Sequence, residues 1–227
     1  MTEQLALPLP YSTAMGVDDF LVTESNRDAV SWIDKWPDWP IKGLIVLGPA
    51  SSGKTHISNL WNSKVSGRVL DRQDLLSRSS LDLMDKASSF VIDDADAYAG
   101  DAEAEEALFH LYNNVVNGKG WLLLTMSKGA GQAGFVLPDL RSRLLALPVV
   151  SLSNPDDRLL EALIIKQFRD RQIEVDIGVV GWLATRAPRD AAGISDLISR
   201  LDETSLAMGG KITIALARKV MEGLNEE

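Results

Sequence analysis

Cysteine is absent from all 227 residues, and histidine occurs only at His56 and His110. The first absence removes disulfides, thiol nucleophiles, iron–sulfur clusters and Cys-type zinc sites. The wide separation of the two imidazoles argues against a histidine-built metal cluster. An excess of basic residues is also missing. Lys and Arg total 23 against 32 Asp and Glu, a formal net charge of −9. Such a balance argues against a surface built mainly to coat phosphate backbones, while leaving room for a local basic patch. No apolar run reaches the roughly 18 residues needed to cross a bilayer. The N-terminal MTEQLALPLP has no basic leading segment, and its apolar stretch is broken by Pro8 and Pro10, so it is not read as a signal peptide. A cytoplasmic protein without membrane contact is expected. What is present is ordinary globular composition, 45% hydrophobic and 24% charged, in a length that suits one large domain or two small ones.

Residues 1–16 carry Leu5, Leu7 and Leu9 on alternate positions between prolines and read as an extended arm. A helix is predicted over 26–36, with Ser25 or Asn26 as its N-cap. Apolar strands are predicted at 43–47, 68–70, 89–93, 121–125 and 147–151. Helices are predicted from Lys54 to about Asn62 and over 102–117. Apolar strands alternating with helices imply a mostly parallel sheet covered on both faces. After about Asn154 only helical periodicity remains, around 159–168, 177–185, 194–205 and 213–223. The expected organisation is an arm (1–16), an α/β domain (17–153) and a small helical domain (154–227).

Gly48-Pro49-Ala50-Ser51-Ser52-Gly53-Lys54-Thr55 fits G-x-x-x-x-G-K-[ST], placed between an apolar strand and a helix. Backbone N–H groups of such a loop, with the following helix N-terminus, form an anion cradle. Lys54 adds a charge for the β- and γ-phosphates, and the Thr55 hydroxyl suits Mg²⁺. Phe90-Val91-Ile92-Asp93-Asp94 has the shape of a Walker B motif. Asp93 would hold Mg²⁺ and Asp94 would orient or deprotonate an attacking water. Thr125 and Ser127 end the strand at 121–125. They are either ordinary strand-end hydroxyls or, if that strand lies between the two motif strands, contacts to the γ-phosphate or the water. Arg141 and Arg143 sit on a short amphipathic segment, where composition alone makes them surface arginines.

The order of these motifs resembles the AAA+ ATPases, and more narrowly the DnaA initiator family. Ser25-Asn26-Arg27-Asp28-Ala29 is similar to the family's N-terminal signature. Gly53-Lys54-Thr55-His56-Ile57 resembles G-K-T-H-L, which adds His56 to the nucleotide-binding residues. Val91-Ile92-Asp93-Asp94-Ala95 resembles I-D-D-I. Leu140-Arg141-Ser142-Arg143-Leu144 is similar to the arginine-finger segment, with Arg143 at the finger position. Residues 211–217 resemble the end of the lid. Two departures stand out. Thr125-Met126-Ser127-Lys128 lies where the family carries an acidic sensor residue. The second sensor arginine is displaced: Arg189 is the nearest candidate, and Ala192 occupies the expected place.

DnaA itself carries a further DNA-reading domain, whereas this sequence ends at Glu227 and looks like the Hda regulators, which implies no direct sequence-specific DNA binding. That resemblance implies binding of ADP or ATP with Mg²⁺, and Arg143 acting in trans in the ATP site of DnaA, so that replication initiation is switched off. Gln4-Leu5-Ala6-Leu7-Pro8-Leu9 is similar to the Q-L-x-L peptide that docks on the polymerase sliding clamp. Gln4 would fill a polar subsite, and Leu5, Leu7 and Leu9 apolar ones, on a chain extended by Pro8. Rival readings are a self-sufficient P-loop ATPase, a helicase-loader ATPase and a non-hydrolysing adaptor. Whether the chain forms a homodimer is left open.

Overall fold

The computed structural model describes residues 21–77, 83, 87–118, 120–208 and 210–224. The expected arm, with Gln4, Leu5, Leu7, Pro8 and Leu9, lies outside the described residues.

Five parallel strands form the sheet: β1 (Gly43–Leu47), β2 (Arg68–Leu70), β3 (Ser89–Ile92), β4 (Trp121–Met126) and β5 (Val149–Ser151). Their order is β2-β3-β4-β1-β5. β1, β3 and β4 are nearly unbroken apolar runs because they lie inside the sheet and are covered on both faces. Alternate residues feed two cores. Leu44, Val46, Val91 and Leu123 face α1 (Arg27–Asp34) and α2 (Lys54–Val65), where they meet Ile33, Ile57 and Trp61. Ile45, Phe90, Ile92, Leu122 and Leu124 face the other way. There they meet Leu75 of α3 (Arg72–Ser77), Leu108 and Leu111 of α4 (Ala102–Asn117), and Leu140 and Leu144 of α5 (Pro138–Leu145). The parallel register sends the C-terminal ends of β1, β3 and β4 to one edge, where loops can build a ligand site.

Four tryptophans gather at the opposite edge. Trp39 stacks on Trp61 with centroids 5.5 Å apart, and Trp121 meets Trp39 and Trp36 edge-on at 5.7 and 6.1 Å. The Trp39 indole N–H donates to the Trp32 carbonyl at 2.7 Å.

The second part is all helical: α6 (Asp157–Asp170), α7 (Ile177–Ala184), α8 (Ala191–Met208) and α9 (Ile214–Leu224). Leu160, Ile164, Phe168, Leu183, Ile198 and Leu201 belong to its own core. Asp156 caps α6 by accepting the Leu159 N–H at 2.8 Å. Arg171 ties α6 to α8 through Ser195 and Ser199, each at 3.1 Å.

The α/β class with a helical lid is as read from the sequence, and several boundaries move. β5 starts at Val149, because Leu147 is held in a turn by its N–H to the Leu144 carbonyl (3.2 Å) and fills the space beside Gly43. α1 is shorter, ending at Asp34. Asn26 stands at its N-cap, yet its amide is spent on the Thr23 N–H and the Leu21 carbonyl. α3 and a 3-10 turn over Ala95–Tyr98 are further elements. None of the described helices is long and apolar enough to cross a membrane.

Candidate functional site

β1 ends at Leu47, and the chain enters α2 through Gly48–Gly53. A Cβ on Gly48 would lie 2.5 Å from Ser52 Oγ and 3.0 Å from Leu152 Cβ, so the loop closes on itself only with glycine there. Gly53, at φ 94°, takes the left-handed turn into the helix, a conformation that disfavours side chains. Ser51, at φ 62°, is left-handed as well. Successive turns of this kind point N–H groups inward and make an anion nest.

Lys54 is 7% exposed. Its ammonium donates to the Gly48 and Pro49 carbonyls, both at 3.1 Å, and to Ser127 Oγ at 3.0 Å, with Asp94 Oδ1 3.8 Å away. Thr55 Oγ1 donates to Asp93 Oδ2 at 2.7 Å. Thus the two motifs, 38 residues apart in sequence, meet side chain to side chain. Two hard oxygen donors so close together fit a small divalent cation such as Mg²⁺. When bound, that ion would be held by Thr55 and Asp93 and would offset phosphate charge.

β4 does lie between the motif strands. Thr125, fully buried, donates its hydroxyl to Asp93 Oδ1 and accepts the Asp94 N–H at 2.8 Å. Asp94 sits at φ 48°, costly for a non-glycine residue, and the Thr125 bond holds it there. Thr125 therefore braces the acidic pair from behind. Ser127 reaches the cleft and takes the Lys54 bond. Asp96, which the sequence did not single out, accepts the N–H groups of Ser127 at 3.0 Å and Lys128 at 2.9 Å, fixing the rim of that strand.

These parts surround a cleft of about 780 Å³. Ala50, Ser51, Gly53, Lys54, Thr55, His56 and Asp94 line it, joined by Asn59, Asp96, Ala97, Ser127, Lys128 and Ala133. Gly48 and Ser52 lie buried within the loop, and Pro49 contributes its carbonyl to Lys54. His56 is pushed below its ordinary pKa, first by desolvation and then by the charge of the Lys166 ammonium on α6. Two predicted residues stand elsewhere. Arg189 donates to the Pro155 carbonyl at 3.0 Å and pairs with Asp157 at 2.9 Å, and it is not among the residues lining the cleft. Arg143 is exposed on α5; its carbonyl accepts the Ala146 N–H at 3.2 Å, while its guanidinium forms no hydrogen bond or ion pair among the described residues.

Residues 156–221 match the family model for the Hda lid domain. Domain III of Thermotoga maritima DnaA superposes with a TM-score of 0.76 at 16% identity, covering 91% of this chain and 95% of that one. The helical part thus matches an Hda lid, and the chain as a whole has the fold of DnaA domain III. Aquifex aeolicus DnaA bound to AMPPCP shares the fold, with a TM-score of 0.67 at 17% identity over 82% of this chain and 64% of that one. An uncharacterized protein of Haemophilus influenzae is 25% identical, covering 97% of this chain and 99% of the relative.

Proposed function

We propose that the cleft binds an adenine nucleotide, ADP or ATP, with Mg²⁺, and that the protein stimulates ATP hydrolysis by DnaA while tethered to the sliding clamp. The residues proposed to hold the phosphates are the 48–55 loop, Lys54 above all, with Thr55 and Asp93 for the ion. Asp94 and Ser127 face the reacting end. The charge of Lys166 on the lid is felt at His56 on the cleft wall, and a bound nucleotide would set the angle between the two parts.

The observation that carries the reading is the placing of Arg143. It stands exposed, its guanidinium in no ion pair among the described residues, outside the cleft that its own chain builds. A guanidinium so placed is available to the γ-phosphate of a neighbouring molecule, where an arginine finger is worth about 10³–10⁵ in rate. The 4–9 segment would dock on the clamp, raising the local concentration beside DnaA. As an Hda-type factor the protein is proposed to act in the cytoplasm.

The test is hydrolysis of DnaA-bound ATP with and without DNA-loaded clamp. Arg143→Ala should keep ADP affinity and lose stimulation. Removal of residues 1–10 should also keep ADP affinity and lose only the dependence on clamp. Stimulation by Arg143→Ala equal to wild type would overturn the trans-acting finger. Steady ATP turnover by the isolated protein at ordinary enzyme rates would instead favour a self-sufficient ATPase, with Asp94 as the water-orienting group.

A further inference from the structure

Glu105 is a buried carboxylate that the cleft does not use. It lies in the first turn of α4 and is 0% exposed. Its Oε1 accepts the Gly100 N–H at 2.7 Å and the Val136 N–H at 3.0 Å. Its Oε2 accepts the Val136 N–H at 3.0 Å and the Leu137 N–H at 2.7 Å. Burying a carboxylate is costly unless its lone pairs are used, and here three backbone amides use them. An apolar side chain would fill the same space without that cost. The residue therefore does something that packing alone does not.

What it does follows from where the three amides come from. Gly100 closes the turn that begins at Asp94, whose carbonyl accepts the Ala97 N–H at 2.9 Å. Val136 and Leu137 are the last residues before α5, and Leu137 is its N-cap. Its own side chain has no oxygen to offer as a cap. The helix that carries Arg143 thus receives its start from a side chain on another helix, and the same side chain holds the far end of the acidic turn.

We propose that Glu105 is a positioning residue that joins the Asp93-Asp94 turn to α5, so that the two move as one body and the Arg143 guanidinium is offered to its target in a fixed place. The proposal rests on the trans-acting reading of Arg143. Glu105→Gln keeps the shape but puts an NH₂ group against an N–H, breaking one side of the joint. A misplaced reacting group can cost about a hundredfold in rate.

The experiment uses the full chain with DNA-loaded clamp and ATP-bound DnaA, and varies the concentration of the protein. Glu105→Gln should lower maximal stimulation about tenfold or more. Half-saturating concentration and calorimetric ADP affinity should stay within about twofold of wild type, a split that general loosening of the fold would not give. In an Arg143→Ala background, Glu105→Gln should cause no further loss, because both act through one group. If Glu105→Gln does not fold by circular dichroism, Glu105→Asp, which retracts the carboxylate by one methylene, is read in the same assay with the same expectation. Wild-type stimulation by the folded variant, or a parallel loss of ADP affinity, overturns the proposal while leaving the finger intact. A wild-type protein that fails to stimulate DnaA overturns the proposed function, and this inference with it.

Discussion

Thr125 shows what a single hydroxyl can decide. Valine at this position would leave Asp93 Oδ1 and the Asp94 N–H, both in part-buried hydrogen bonds, without that partner. A buried unmet group costs about 1–3 kcal/mol, and less where water can reach it. Thr125→Val is expected to lower stability by that order in urea unfolding, and to shrink the gain in ADP affinity that Mg²⁺ brings; Thr125→Ser should recover most of both. An unchanged Mg²⁺ effect in the valine variant would refute the bracing role. Tyr98 gives a test in alkali. Its phenol is raised above its ordinary value of 10.0, first by burial and then by the Asp71 charge. The folded state therefore keeps the proton longer than the unfolded one. Its stabilising share is intact below about pH 10 and is lost as pH rises through the folded value. Tyr98→Phe should flatten the alkaline limb of a stability–pH curve.

The residues of the two motifs were legible because their spacing is local and their chemistry is fixed by phosphate and metal. Asp96 and Glu105 were not, and Thr125 was legible only as a strand-end hydroxyl whose role stayed open. Their partners lie about 31 residues away in sequence, brought close only by strand order and loop register. Glu105 left one signal that pattern reading can use. It falls with Leu108, Tyr112 and Val115 on the buried stripe of α4, where a charge has no cheap reason to be.

Among the elements, α6 opens the lid, and its first turn sits where two residues meet the linker. Asp156 caps it, and Asp157 receives Arg189. Replacing an N-cap aspartate with alanine costs about 1 kcal/mol. Asp156→Ala is expected to destabilise the lid by that amount and to raise hydrogen exchange in α6 ahead of the sheet. Uniform loosening of both parts would contradict a local cap. At this scale the sequence was readable wherever an apolar run is long or caps are present: β1, β2 and α4 are found where periodicity puts them. It was poor where tertiary contacts set the limit. Pattern gave 147–151 for β5, but the Leu147 turn delays the strand to Val149. The six-residue α3 is too short to show a period.

Over the whole molecule there are three apolar interiors, two flanking the sheet and one in the lid, and the lid follows the sheet through residues 152–156. A ligand that binds only the closed arrangement stabilises it by mass action, about 2.7 kcal/mol at a hundred times its dissociation constant. ADP with Mg²⁺ should therefore raise the melting temperature. Lys54→Ala, which removes the buried ammonium, should abolish most of that rise in a thermal scan. An equal rise in the variant would mean that the nucleotide sits elsewhere.

The tryptophan quartet has a practical consequence. Trp36, Trp39, Trp61 and Trp121 lie close enough for their excited states to couple and trade energy, and they do so at the edge of the sheet away from the cleft. Intrinsic fluorescence and the near-ultraviolet dichroic bands will thus be dominated by a spectator. They will report melting of the sheet sharply and stay nearly silent while a ligand enters. Trp182, under the Arg186 guanidinium at 4.7 Å on α7, is the one indole whose emission belongs to the lid. Replacing the quartet and Trp32 conservatively would leave that one ring as a built-in lamp for lid closure.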